Sequence, residues 1–173
     1  MELGPVDLII ADAIGDPGMR VFYLQARDAS ALVTVIVEKQ QVQLLSASVL
    51  ELLATLELET GQGPDESLMD LVEPVEPRWR AGRLSIGYDQ ERELFVLEVE
   101  EFVPEPQEDD PRAAELGEPE LIRIWASREQ MFAFSRHGAA VAEQGRPACQ
   151  YCGNPMDPEG HACPAMNGHS KKD

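Results

Sequence analysis

An α+β fold, two βββα halves forming a largely antiparallel sheet with two packed helices, is predicted by three features of the sequence. Short β-branched runs bounded by Gly, Pro, Asp and Ser come in groups of three. Each group leads into a run whose apolar residues recur with helical period. The second helical run then repeats the first at a fixed distance. Val42, Leu45, Val49, Leu52 and Leu53 are each followed 89 positions later by Met131, Phe134, Gly138, Val141 and Ala142.

Residues 6–14 read as the first strand, and Gly15-Asp-Pro-Gly18 as a turn, because Pro and Gly preset backbone angles that other residues resist. Residues 20–26 and 32–37 follow as strands, the latter dense in β-branched side chains. A helix is predicted over 39–57, with Val42, Leu45, Val49, Leu52, Leu53 and Leu56 along one stripe. Residues 58–79 change composition to an acidic loop with Gly61-Gln-Gly-Pro64 and Glu73-Pro-Val-Glu-Pro77, with room for a helical turn at 67–72.

The pattern then restarts. Residues 83–88 and 94–102 read as strands around the turn Asp89-Gln-Glu-Arg92, and 104–119 as a proline-punctuated acidic loop. Residues 121–126 are the sixth strand. Ser127-Arg-Glu-Gln130 has capping-box spacing, in which Ser bonds forward and Gln reaches back. The helix it opens runs to about 144, with Gly145 placed to take the left-handed position after it and Pro147 unable to continue it. Glu38-Lys-Gln-Gln41 stands at the same offset of 89 from this box. Residues 1–146 therefore read as one α+β domain, with halves at about 6–57 and 80–145, and 147–173 as a separate tail.

That tail holds the chemistry. All three cysteines and two of the three histidines lie between Cys149 and His169. Cys149-x-x-Cys152, then His161-x-Cys163, places three thiols and an imidazole at the two ends of a short hairpin, the donor set that tetrahedral Zn²⁺ favours. A redox pair usually sits where a strand enters a helix, whereas this pair follows a helix end among Gly and Pro. An odd number of thiols does not make a disulfide framework. Cys149, Cys152 and Cys163 are three of the expected ligands; the fourth is His161, presented by the turn at 158–160, or His169. Four protein ligands close the coordination sphere, which makes the zinc structural. The zinc deaminase pattern fails, because Ala148 separates Pro147 from Cys149 and His137-Gly-Ala139 lacks the required Glu.

Other site chemistries find little footing. Neither phosphate-cradling glycine pattern is present, the acids of 105–120 lack the spacing of a calcium loop, and no nucleophile–His set forms without using the thiol cluster. His137 stands alone beside the apolar stripe of its helix, and Trp125 and Phe134 read as core, with Trp79 covering an edge. The formal net charge is −18, with three acids balancing three bases in 146–173, so the body carries all the excess. Such a surface repels nucleic acid and anionic membrane, and no apolar run approaches the roughly 20 residues that span a bilayer. Met1–Asp7 has no basic region of the secretory type, and the chain reads as cytoplasmic.

The runs Phe22-Tyr-Leu-Gln-Ala-Arg-Asp28 and Val37-Glu-Lys-Gln-Gln41, with Cys149-Gln-Tyr-Cys152-Gly153, Asp157-Pro-Glu-Gly-His-Ala-Cys-Pro164 and Asn167-Gly-His169, resemble a bacterial, mainly actinobacterial, family, domain of unknown function 3090. The family pattern Asp-Pro-x-Gly-His-x-Cys-Pro implies His161 as the fourth ligand. Its members are often encoded beside a phosphoinositide-kinase-like protein, which implies a partner of that kind. The chain departs at Ala148 and Ala165, where Pro and Arg are expected, and the missing Arg argues against anion contact by the knuckle. The expected function is thus a non-enzymatic binding or adaptor module for a protein partner. The alternative is an enzyme or accessory subunit, with Lys39, Gln41, Arg128 and Gln130 converging between the halves.

Overall fold

The computed structural model describes residues 1–104, 117–145, 149–154, 156, 163 and 164. Its strands are β1 (Glu2–Leu3), β2 (Leu8–Ile14), β3 (Val21–Arg27), β4 (Leu32–Val37), β5 (Ala81–Asp89), β6 (Leu94–Glu101) and β7 (Leu121–Ala126). Its helices are α1 (Lys39–Thr55) and α2 (Arg128–Glu143), with a 3₁₀ turn at Glu66–Leu68. Each predicted half is present as an antiparallel meander, β2-β3-β4 and β5-β6-β7, followed by its helix. Neither acidic loop forms a strand or an α-helix among the described residues. Residues 105–116 lie outside them.

The expected single six-stranded sheet is corrected to two sheets, in the orders β2-β3-β4 and β1-β7-β6-β5. They meet where residues 78–80 run beside β4, through Arg78 N–H to Thr34 O and Ile36 N–H to Trp79 O, both 2.9 Å, and the parallel bridge Ile36–Arg80. Pairing stops there because β5 bulges: Ala81 opposes Glu101 and Arg83 opposes Glu100, leaving Gly82 extra. A Cβ at Gly82 would lie 3.0 Å from Phe102 Cα, so the bulge keeps a glycine. The short β1, which hydropathy alone does not reveal, pairs in parallel with β7, while β2 a few residues on pairs with β3. The strand pairings therefore close into a ring through residues 2–14.

Alternation along the strands sets the core. Ile9 and Ala11, Leu24 and Ala26, Val33, Val35 and Val37, Leu97 and Val99, and Ile122 and Ile124 point one way and are buried in one cluster. The same period in β7 turns Trp125 outward, against the expectation that it is core; its indole N–H donates to Glu2 Oε1 at 2.6 Å and the Arg92 guanidinium lies 4.3 Å over its ring. Phe134 is fully buried, as expected, and Trp79 packs partly buried against the cluster. Phe95, Phe134 and Met131 are each shut from solvent, a burial that contributes about 2–3 kcal/mol apiece.

The helices bury the faces their stripes foretold, with adjustments at the ends. Val42, Leu45, Val49 and Leu53 are buried on α1, but Leu56 is exposed, because the helix stops at Thr55. Glu57 turns left-handed with φ of 50°, and its N–H and that of Leu58 close on Ala54 O and Leu53 O. Gly145 does not take the left-handed turn expected after α2. Instead Arg20 Nη1 reaches from the start of β3 to the α2 carbonyl of Val141 at 3.0 Å, satisfying an orphan acceptor and setting a cation at the negative helix end.

The helices run antiparallel. A Cβ at Gly138 would meet Ser46 Oγ at 2.9 Å and Val42 Cγ1 at 3.1 Å, and one at Gly145 would meet Lys39 Nζ at 3.2 Å. The acidic segment 58–79 is no free linker. Met69 is 2% exposed, packing with Ile10 and Ala133 on the outer face of β2. The buried Gln25 amide clamps the Val72 main chain, accepting from its N–H at 2.8 Å and donating to its carbonyl at 3.0 Å.

Candidate metal centre

The first limb of the thiol site is a tight turn. Cys149 N–H donates to Asn154 O and Gly153 N–H to Cys149 O, both at 2.8 Å. Gly153 closes the turn with φ of 73°, a conformation that costs a side-chain-bearing residue about 1–2 kcal/mol. The turn aims the amides of Tyr151 and Cys152 at the Cys149 sulfur, and these hydrogen bonds hold the Cys149 thiol below its ordinary pKa. Cys152 accepts from the Asn154 amide, yet burial and its two thiol neighbours hold its pKa above the ordinary value. These opposite directions favour the thiolate at Cys149 over that at Cys152.

Cys163 comes back from the second limb to complete the set. The three sulfurs lie within 4.8 Å of one another, and Cys149 and Cys163 are buried at 5% and 7% exposure. Cys149 Sγ and Cys163 Sγ are 3.8 Å apart. Two thiolates bound at about 2.3 Å to a tetrahedral ion stand about 3.8 Å apart, so the spacing is that of one edge of such a site. All three cysteines are free thiols. The cluster can therefore hold one metal ion from three sides. His161 and His169, the two expected alternatives for the fourth side, lie outside the described residues.

The four side chains that the alternative enzyme reading would bring together between the halves do not converge. Gln41 and Gln130 do the same work at equivalent places: Oε1 accepts from the N-cap amide of its own helix, Glu38 at 2.7 Å and Ser127 at 2.9 Å. Each Nε2 then donates across to the other half, to Gly82 O within the start of β5 at 2.9 Å and to Val6 O just before β2 at 2.7 Å. Both amides are thus staples between the halves. Because the helices are antiparallel, Lys39 lies near the α2 C-terminus, while Arg128 sits at the far end beside Glu93, 3.9 Å away.

His137, expected to stand alone, has partners from two other segments. Its Nδ1 is 2.5 Å from Glu66 Oε1 on the 3₁₀ turn and its Nε2 is 3.7 Å from Asp12 Oδ2 on β2. Asp12 raises its pKa, opposed by burial and helped by Glu66. Neither carboxylate is near His137 in sequence, and only the packing of 58–79 over β2 and α2 brings them together. A raised pKa in the folded state means that protonation stabilises the fold below the ordinary histidine value. That contribution is lost as pH rises through the folded value. Thermal unfolding from pH 5.5 to 8.5 is accordingly expected to show wild type losing stability relative to His137→Gln. Parallel curves for the two proteins would contradict it.

A family profile described as protein of unknown function (DUF3090) matches residues 1–163. No curated protein and no solved structure matches the chain significantly. No described helix is long and apolar enough to cross a membrane.

Proposed function

Since the chain belongs to the family of unknown function DUF3090, we propose a function from its own geometry: a non-enzymatic cytoplasmic binding module that carries one structural zinc ion and docks a protein partner. The observation that carries the zinc is the 3.8 Å separation of Cys149 and Cys163 Sγ within a three-thiol cluster. Three thiolates select a soft or borderline ion, and zinc is the one that takes a tetrahedral sulfur-rich site without redox change. His161 is the fourth ligand, separated from Cys163 by Ala162 alone and inside the family match, which stops before His169. Bound there, zinc supplies cross-linking of the two limbs and no open position for a substrate.

The adaptor reading rests on what the rest of the body does. The groups that an enzyme site between the halves would need are used on main-chain carbonyls or lie at opposite helix ends. The strongly acidic body favours a partner with a basic surface, whose association such a field accelerates at low salt. A phosphoinositide-kinase-like protein is the first partner to try. The test is to purify the tagged full chain from its native host, once intact and once as Cys163→Ser, after cross-linking in the cell. One protein recovered in near-equal amount with the intact chain, and lost or strongly reduced with Cys163→Ser, is the expected result. A chain that emerges alone in both forms would overturn the adaptor reading.

A further inference from the structure

A pocket of about 420 Å³ opens at the start of α1. Its lining gathers Arg20 from the approach to β3, Lys39 from the first turn of α1 and Arg80 from the approach to β5. Glu38 is the one carboxylate among its described lining residues, and the backbones of Gly18 and Gly145 form part of the wall. Three cations against one carboxylate leave a formal charge of +2, in a chain whose total is −18 with only 14 basic residues. The lining is thus locally opposite in sign to the chain as a whole, and an anion that enters meets cations where the rest of the charge opposes it.

The cations are held but not exhausted. Arg20 uses Nη1 on Val141 O, and Arg80 uses Nη1 on the Glu38 carboxylate. A guanidinium carries five N–H donors, so both keep a free edge, and such edges match the paired oxygens of a phosphate. Lys39 has no hydrogen bond or ion pair among the described residues. The rest of the wall is the Gly18 and Gly145 backbone and residues of β3 and β4, of which Val21 and Ile36 lie outside the buried cluster. The volume suits one small molecule.

We propose that this pocket binds the phosphate group of a small soluble phosphate monoester, with Arg20, Lys39 and Arg80 as its anion-recognising residues. It is independent of the metal centre and of the adaptor reading. The monoester's dianion answers the +2 lining, its body lies against Val21 and Ile36, and Glu38 is the group that competes with it for Arg80.

The experiment is thermal unfolding and titration calorimetry of the full zinc-supplemented chain with inorganic phosphate and with glycerol 3-phosphate, at an ionic strength fixed with potassium chloride. At ten times the dissociation constant, wild type is expected to gain about 3–5 °C in Tm over the chloride control. The double variant Lys39→Gln/Arg80→Gln is expected to bind at least tenfold more weakly. Glu38→Gln, which frees Arg80, is expected to bind about three- to tenfold more tightly, a change of sign that a merely structural role for these charges would not give. Arg92→Gln, outside the pocket, should bind as wild type does. No gain over chloride for either probe, or the same gain in the double variant, would overturn the proposal.

Discussion

Cys163→Ser is expected to lower the zinc content of the purified chain from about one equivalent to below about 0.1 after dialysis against a mild chelator. The serine hydroxyl is nearly isosteric but remains protonated at neutral pH, so it offers no anionic ligand where a thiolate stood. Cys163 is also the thiol that joins the second limb to the first, and its 3.8 Å separation from Cys149 spans that junction. Structural zinc sites in small modules are worth about 10–16 kcal/mol of apparent binding energy, and losing one of three thiolates removes a large part of it. The loss should be visible twice: in metal content, and in faster alkylation of Cys149 and Cys152, which a bound metal would shield in wild type. Of those two, Cys149 should react first, since the amides of Tyr151 and Cys152 favour its thiolate. Full metal retention in Cys163→Ser would show that Cys163 is not needed to hold the metal, against a site built on all three thiols.

Gln25→Leu is expected to destabilise the body by about 3 kcal/mol, a fall in Tm of about 10 °C. Gln25 is fully buried in the middle of β3. Its amide makes three hydrogen bonds, with Val72 N–H, Val72 O and Thr34 Oγ1, at 2.8, 3.0 and 3.0 Å. Leucine fills a similar volume but leaves those groups unmatched, and each buried polar group without a partner costs about 1–3 kcal/mol. Val72 is only half-buried, so water can recover part of the loss, which keeps the expectation at the lower end of the sum. The damage should be directional. Residues 65–72 should exchange their amide hydrogens faster, and the pH dependence contributed by His137 should shrink, because Glu66 reaches His137 from the same segment. A cost below about 1 kcal/mol would mean that 58–79 is not held by this clamp.

The parts of the fold written in local pattern were legible. Ser127 and Gln130 form the capping box that their spacing indicates, with Gln130 N–H to Ser127 Oγ at 3.2 Å. The offset of 89 residues proved physical, since Gln41 and Gln130 occupy equivalent helix starts and both reach across to the other half. Their reach was not legible: a glutamine one turn into a helix can face a cleft, solvent or a carbonyl, and the sequence does not distinguish them. Trp125 was misplaced although the alternation of Ile122, Ile124 and Ala126 already faced it outward; aromatic character was given more weight than period.

What remained hidden depends on contacts between distant segments. Gln25 looks like an ordinary polar residue of a strand until Val72 is brought beside it, and Met69 sits in a loop whose composition reads as solvent-facing. The same holds for Asp12, Glu66 and His137, and for the three basic residues of the pocket, each at the approach to or start of a different element. The thiol cluster was the reverse case. Cys-x-x-Cys spacing and the returning Cys163 constrain one another locally, so the donors could be named from spacing, and the structure adds their separation and burial.

X-ray absorption at the zinc edge, on the purified full chain beside His161→Ala and His169→Ala, tests the closed structural site most directly. The expected wild-type spectrum has three sulfurs at about 2.3 Å and one nitrogen at about 2.0–2.1 Å, with the nitrogen shell lost in His161→Ala and kept in His169→Ala. A spectrum with an oxygen from water in the fourth position of wild type, or with fewer than three sulfurs, would contradict the closed site and return the thiol cluster to open metal chemistry.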